Sequence, residues 1–169
     1  MRRETELVLR GGLFAGLIGY FTIVLFFAAY NIVGGNSPFE TAALLGGALF
    51  FGLRDPGQFV VTPETVLTFN MVHALVMLGI GFLTSWLVAK AEKYPISQYA
   101  VLIALLFVGV HLFAAVYFLA SPLMGSGAWF PIALASVAAA VTMGWYLLWI
   151  HPALRHQLRD LPMGDVPGA

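Results

Sequence analysis

Two histidines lie inside long apolar stretches, His73 and His111. His73 comes nine residues after Glu64, and His111 comes nine residues before Ala120. At a rise of about 1.5 Å per residue, each would lie about 14 Å below the same membrane surface. Two imidazoles at matched depth on adjacent antiparallel helices suit the axial ligands of a haem iron. One hypothesis is therefore a haem b-binding electron-transfer membrane subunit. The simpler interpretation is a buried, hydrogen-bonded histidine, with Asn70 as a partner of His73.

Little else in the sequence suggests chemistry. The chain has no cysteine, which excludes thiol catalysis and thiolate metal sites. No Asp, Glu, Lys or Arg lies deep inside an apolar stretch, whereas ion and proton pathways normally need such groups. We predict no catalytic residue and no metal site. A further alternative is a small intramembrane enzyme or transporter, with a cavity lined by Asn70, His73, His111 and Tyr117.

Composition indicates the class of protein. Of 169 residues, 60% are hydrophobic and 9% are charged, against roughly 45–50% and about 25% in soluble domains. Eight basic and eight acidic residues cancel, which leaves no basic surface for nucleic acid. The chain is predicted to be an all-α integral membrane protein, a single membrane domain over residues 1–169.

Four apolar stretches are long enough to span a bilayer, which requires about 20 residues. The predicted spans are residues 7–33, 63–89, 96–120 and 128–150. They form a four-helix transmembrane bundle. Thr62 and Pro63 supply a cap and a first-turn proline for the second span. A shorter helix is predicted over 38–53, with Ser37, Pro38 and Glu40 forming a capping box.

Charge favours one orientation, because cytoplasmic loops are enriched in Lys and Arg. If the short helix does not span, seven basic residues fall on one side and only Arg54 on the other; the seven are Arg2, Arg3, Arg10, Lys90, Lys93, Arg155 and Arg159. Both termini are then cytoplasmic in a cell (inner) membrane, and the connector 34–62 lies outside with an interfacial or re-entrant helix. The tail 151–169 is cytoplasmic, with His151 and His156 expected to be solvated.

Small residues recur at helical spacing on two spans, where they allow helix backbones to approach closely. They are Gly12, Gly16 and Gly19 in the first span, and Ser136, Ala140 and Gly144 in the fourth. These faces could pack within the bundle or against another protein. The favoured hypothesis is a non-catalytic accessory or scaffold subunit of a larger membrane protein complex, with a respiratory or photosynthetic complex as a natural setting. Its partners would be the lipid bilayer and other membrane subunits, without a cofactor unless haem b is bound.

Overall fold

The computed structural model describes residues 2–94, 109–110, 113–114, 117–118 and 129–159. Regular structure in these residues is entirely helical: α1 (Arg2–Val33), α2 (Glu40–Phe50), α3 (Pro63–Lys93), α4 (Trp129–Ile150) and α5 (Pro152–Arg159), with a short 3₁₀ helix at Pro56–Gln58. Three helices are long and apolar enough to cross a membrane, at Thr5–Val33, Pro63–Lys93 and Trp129–Ile150. The predicted span 96–120 lies largely outside the described residues.

The long helices begin and end at two opposite ends of the bundle. At one end, the Ser85 hydroxyl of α3 donates to the Val8 carbonyl of α1 at 3.1 Å, so α1 and α3 are antiparallel. At this same end, Glu92 of α3 meets His151, which directly follows α4. We call this the Glu92 end, and the opposite one, where α1 ends and α3 begins, the connector end. Helices α3 and α4 therefore run in the same direction, from the connector end to the Glu92 end.

Helix α1 lies at the centre of the described bundle. It packs along both α3 and α4, which themselves barely touch each other. The larger core cluster joins all three helices and α5; its buried members are Ala15, Met77, Val88, Ala91, Met143, Leu147 and Leu154. A smaller cluster at the connector end places Leu45 of α2 against Ile132 of α4, with phenylalanines around them. Each long helix thus has one packed side, and its remaining apolar surface is exposed, as lipid contact requires.

The connector 34–62 leaves and returns at the same end, so α2 does not cross the bundle. It packs beside the first turns of α3, where a Cβ at Gly46 would collide with the Thr65 carbonyl oxygen. Asn31, near the end of α1, holds the start of the connector in place. The Asn31 side-chain oxygen accepts from the Thr41 hydroxyl at 3.0 Å, and its NH₂ donates to the Pro38 carbonyl at 3.3 Å.

The two predicted helix starts had different outcomes. Helix α3 begins as predicted, with Pro63 in its first turn and a capping box formed by Thr62 and Thr65. The predicted capping box of α2 was wrong. That helix begins at Glu40 after Phe39, and the Ser37 hydroxyl instead accepts from the Phe39 N–H at 3.3 Å within the preceding turn.

Candidate functional site

His73 lies between aromatic rings of two helices. The Phe69 ring, one turn earlier on α3, stacks on the imidazole at 5.6 Å between centroids with 26° between planes. Tyr20 of α1 contacts it at 5.4 Å and 54°. The Tyr20 contact follows from the antiparallel packing of α1 and α3, whereas the Phe69 contact follows from the spacing of four residues within α3. Sequence reasoning placed His73 inside the bundle but missed both rings. The helical spacing could have indicated Phe69, whereas Tyr20 depends on the register between two helices.

The predicted hydrogen bond between His73 and Asn70 is not formed. The Asn70 side-chain oxygen accepts from the Tyr20 hydroxyl at 3.0 Å, and its NH₂ donates to the Val66 carbonyl at 2.8 Å. His73 Nδ1 is buried and has no hydrogen-bond partner among the described residues. The amide is thus occupied by structural bonds, whereas one imidazole nitrogen is left unsatisfied.

His111 lies outside the described residues, so its separation from His73 stays a prediction. Near it in sequence, Gly109 is exposed and Ala114 is partly buried. The Tyr117 ring stacks on the Phe113 ring at 6.3 Å. Phe113 in turn packs against the Leu45–Ile132 cluster together with Phe69. Through its ring contact with Phe113, Tyr117 therefore lies toward the connector end of the bundle.

The small residues of α1 lie at its contacts with α3 and α4. A Cβ at Gly12 would stand 2.7 Å from the Phe82 Cα, and one at Gly16 would stand 2.8 Å from the Leu78 Cα. A Cβ at Gly19 would meet sulfur or methyl atoms of Met143 and Met77 at 2.5 Å. At Gly12 and Gly16 the neighbours include backbone atoms, so only glycine permits this approach, which maximises van der Waals contact between helices in lipid.

The small residues of α4 are more open. Ala140 is exposed and Ser136 is partly buried, its hydroxyl bonded to the Ile132 carbonyl of its own helix at 2.8 Å. A Cβ at Gly144 would meet no atom of the described residues within 4 Å. Within the described part of the chain, no other helix packs against this face of α4 as closely as α3 packs against the small residues of α1.

The expectation that His151 is solvated was wrong. His151 is only 4% exposed, and its Nδ1 lies 2.6 Å from the Glu92 carboxylate. Its Nε2 is buried and has no hydrogen-bond partner in the described part of the chain. His156, on α5, is exposed as expected. The sequence held a partial signal, because the apolar Leu154 follows His151 by three residues, and it is 5% exposed. The turn from α4 into α5 carries His151 inward with that leucine.

The described residues offer limited chemistry. They contain no group of three His, Cys, Asp or Glu side chains that could hold a metal ion. The site around His73 provides one imidazole among aromatic rings and an amide already bonded. No protein-family model, curated protein or solved structure matches this chain.

Proposed function

We propose that this protein is a non-catalytic accessory or scaffold subunit of a larger membrane protein complex. The observation that carries the proposal is the contrast between its two small-residue faces. The small residues of α1 pack against α3 and α4. On α4, Ala140 is exposed, and a Cβ at Gly144 would meet no atom of the described residues within 4 Å. An open small-residue face on a membrane helix is suited to close packing by a helix of another subunit.

The polar groups of the described spans support a structural role. Thr22, Thr84 and Thr142 donate to carbonyl groups one turn earlier in their own helices. Hydroxyls used in this way satisfy themselves inside the bilayer and do not form a polar path across it. The charged residues of α1 and α3 lie near the ends of those helices, and α4 has none. A transport or proton-relay function would require ionisable groups at depth.

The proposed architecture is a four-helix bundle with both termini in the cytoplasm. Helix α3 ends at the Glu92 end and α4 begins at the connector end, so Tyr94 and Trp129 lie at opposite ends of the bundle. A fourth crossing within the predicted span 96–120 would connect them. The Glu92 end carries Arg10, Lys90 and Lys93, and the connector end carries Arg54, which favours a cytoplasmic Glu92 end.

Isolation from the native membrane in mild detergent tests the accessory role. We expect a stoichiometric membrane partner to co-purify with the wild-type chain, and Gly144→Leu to reduce its recovery by filling the open face. Gly79→Leu is the matched control, because a Cβ at Gly79 also meets no described atom within 4 Å. A well-behaved monomer without any stoichiometric partner, or equal loss in both variants, would refute the proposal.

A second candidate function is haem b binding by His73 and His111. The supporting observation is the buried Nδ1 of His73, which bonds to none of the described residues, since an imidazole nitrogen can be satisfied by a metal as well as by a hydrogen bond. The isolated protein would then show a Soret band that disappears in both His73→Ala and His111→Ala. A colourless preparation that does not bind added haemin would end this hypothesis.

A further inference from the structure

An apolar groove runs between α1 and α4 on the membrane-facing surface. Its volume is about 520 Å³, and it is lined by Ile18, Val141, Thr142, Trp145, Tyr146 and Trp149. This volume falls within the range of about 300–1,000 Å³ that is usual for ligand sites. Val141, Trp145 and Trp149 recur every four residues on α4, on a different face from Ser136, Ala140 and Gly144. The groove is therefore separate from the face proposed to bind another subunit.

The two ends of the groove differ in chemistry. Toward the connector end, the hydroxyl oxygens of Thr142 and Thr22 are 3.1 Å apart, so α4 and α1 approach each other closely there. Toward the Glu92 end, the Tyr146 ring contacts Phe14 at 6.3 Å and Trp149 at 6.4 Å. The tryptophans Trp145 and Trp149 are 78% and 68% exposed. Exposed tryptophans beside a helix end are typical of the level of lipid head groups.

A positive charge lies at the Glu92 end of this groove. Arg10 precedes Phe14 by one helical turn, and the Phe14 ring contacts Tyr146, which places Arg10 on the same side of α1 one turn nearer the Glu92 end. Its side chain is exposed, and within the described part of the chain no carboxylate lies within 4 Å of its guanidinium. Arg10 and Ile18 are about 12 Å apart along α1 at 1.5 Å per residue, and Ile18 lines the groove. The apolar groove thus has a phenol in its lining, and beyond it toward the Glu92 end lies a guanidinium that forms no ion pair with a described residue.

We propose that this groove binds one anionic phospholipid, with an acyl chain along Ile18, Val141 and Trp145 and its phosphate beside Arg10 and Tyr146. The charge of the guanidinium complements a head group with net negative charge, and arginine forms strong charge-assisted hydrogen bonds with phosphate. Because any acyl chain is equally apolar, discrimination between lipids depends on the head group. One basic residue near a membrane surface contributes about 1 kcal/mol, which corresponds to about a fivefold preference for the anionic lipid.

Native mass spectrometry of the full chain in non-ionic detergent tests the site, with phosphatidylglycerol and phosphatidylcholine of identical acyl chains as probes. We expect one retained phosphatidylglycerol, bound about fivefold more tightly than phosphatidylcholine. Arg10→Gln should abolish this preference, while Arg155→Gln, which removes an exposed charge from α5, should retain it. Val141→Phe should expel the lipid by filling the groove.

Val137→Phe is the matched control for the groove, because Val137 and Val141 are 59% and 62% exposed one turn apart, and only Val141 lines the groove. Thermal unfolding of each variant without lipid shows whether it is folded. Equal retention of the two lipids, equal effects of Arg10→Gln and Arg155→Gln, or equal effects of the two phenylalanine variants would overturn the proposal. Mass spectra in which a second protein chain, and no lipid, is lost on Val141→Phe would overturn it as well.

Discussion

Gly81 of α3 lies against Gly16 of α1 so closely that a Cβ at Gly81 would stand 2.7 Å from the Gly16 Cα. The same Cβ would collide with the carbonyl oxygen of Gly12. Three glycines on two helices therefore form one backbone-to-backbone contact. This contact fixes how α1 and α3 slide and rotate against each other, and it places Tyr20 beside His73 one turn further along α1.

Gly81→Ala should destabilise the protein, because the added methyl group has only backbone atoms to displace. We expect the free energy of unfolding to fall by about 1–3 kcal/mol, the usual cost of overpacking. Unfolding with increasing denaturing detergent, followed by circular dichroism, would measure it. Gly79→Ala is the control two residues away, where a Cβ meets no described atom within 4 Å. Equal destabilisation by both substitutions would contradict the close contact.

Part of this fold could be predicted from the sequence. The bilayer requires about 20 apolar residues per crossing, and hydropathy therefore located the three spans that the structure describes. The start of α3 was predictable because Thr62 and Pro63 carry the capping signal locally. Helix α1 begins at Arg2 and α3 continues to Lys93, beyond the predicted spans of 7–33 and 63–89, because a helix does not end where its apolar stretch ends.

The contacts between helices were harder to predict. Gly81 lies between Ile80 and Phe82, and nothing in its local sequence indicates that it faces Gly16. The Glu92–His151 contact joins residues 59 positions apart, and each alone resembles an ordinary solvated group at a helix end. The Tyr20 ring beside His73 was missed for the same reason. These features depend on the register between helices, which hydropathy does not contain.

His151→Ala should destabilise the junction of α3, α4 and α5. The substitution removes a buried ring and leaves the Glu92 carboxylate without its 2.6 Å partner. We expect a loss of about 1–3 kcal/mol in the free energy of unfolding. His156→Ala, at an exposed position on α5, should change it by less than about 0.5 kcal/mol.

A double-mutant cycle separates the His151–Glu92 contact from the loss of the imidazole itself. In a cycle with His151→Ala and Glu92→Gln, contacting residues should couple by about 0.5–3 kcal/mol. Additive effects of the two substitutions would show that the contact contributes nothing to stability.

Asn31→Ala should release the connector from α1. Asn31 is 4% exposed and Thr41 is 6% exposed, and the substitution would leave the Thr41 hydroxyl without its acceptor at 3.0 Å. We expect faster amide hydrogen exchange in α2 and faster proteolysis of residues 34–62, since local opening exposes both. Asn36→Ala, at an exposed position in the same turn, should leave both rates unchanged. Unaltered exchange of α2 in Asn31→Ala would show that the helix is held by Gly46 and Leu45 alone.

Single cysteines should report opposite sides of the membrane at the two ends of the bundle. The chain has no native cysteine, so labelling carries no background. Gly57→Cys lies in the connector and Arg155→Cys lies on α5, both at exposed positions. Because basic residues concentrate at the Glu92 end, that end should face the cytoplasm. In intact cells, an impermeant maleimide should modify Gly57→Cys, whereas Arg155→Cys should react only after permeabilisation. Asn36→Cys, a second exposed site in the connector, should behave as Gly57→Cys does. The reverse pattern would invert the proposed orientation, and labelling of both ends from one side would contradict the parallel course of α3 and α4 through the membrane.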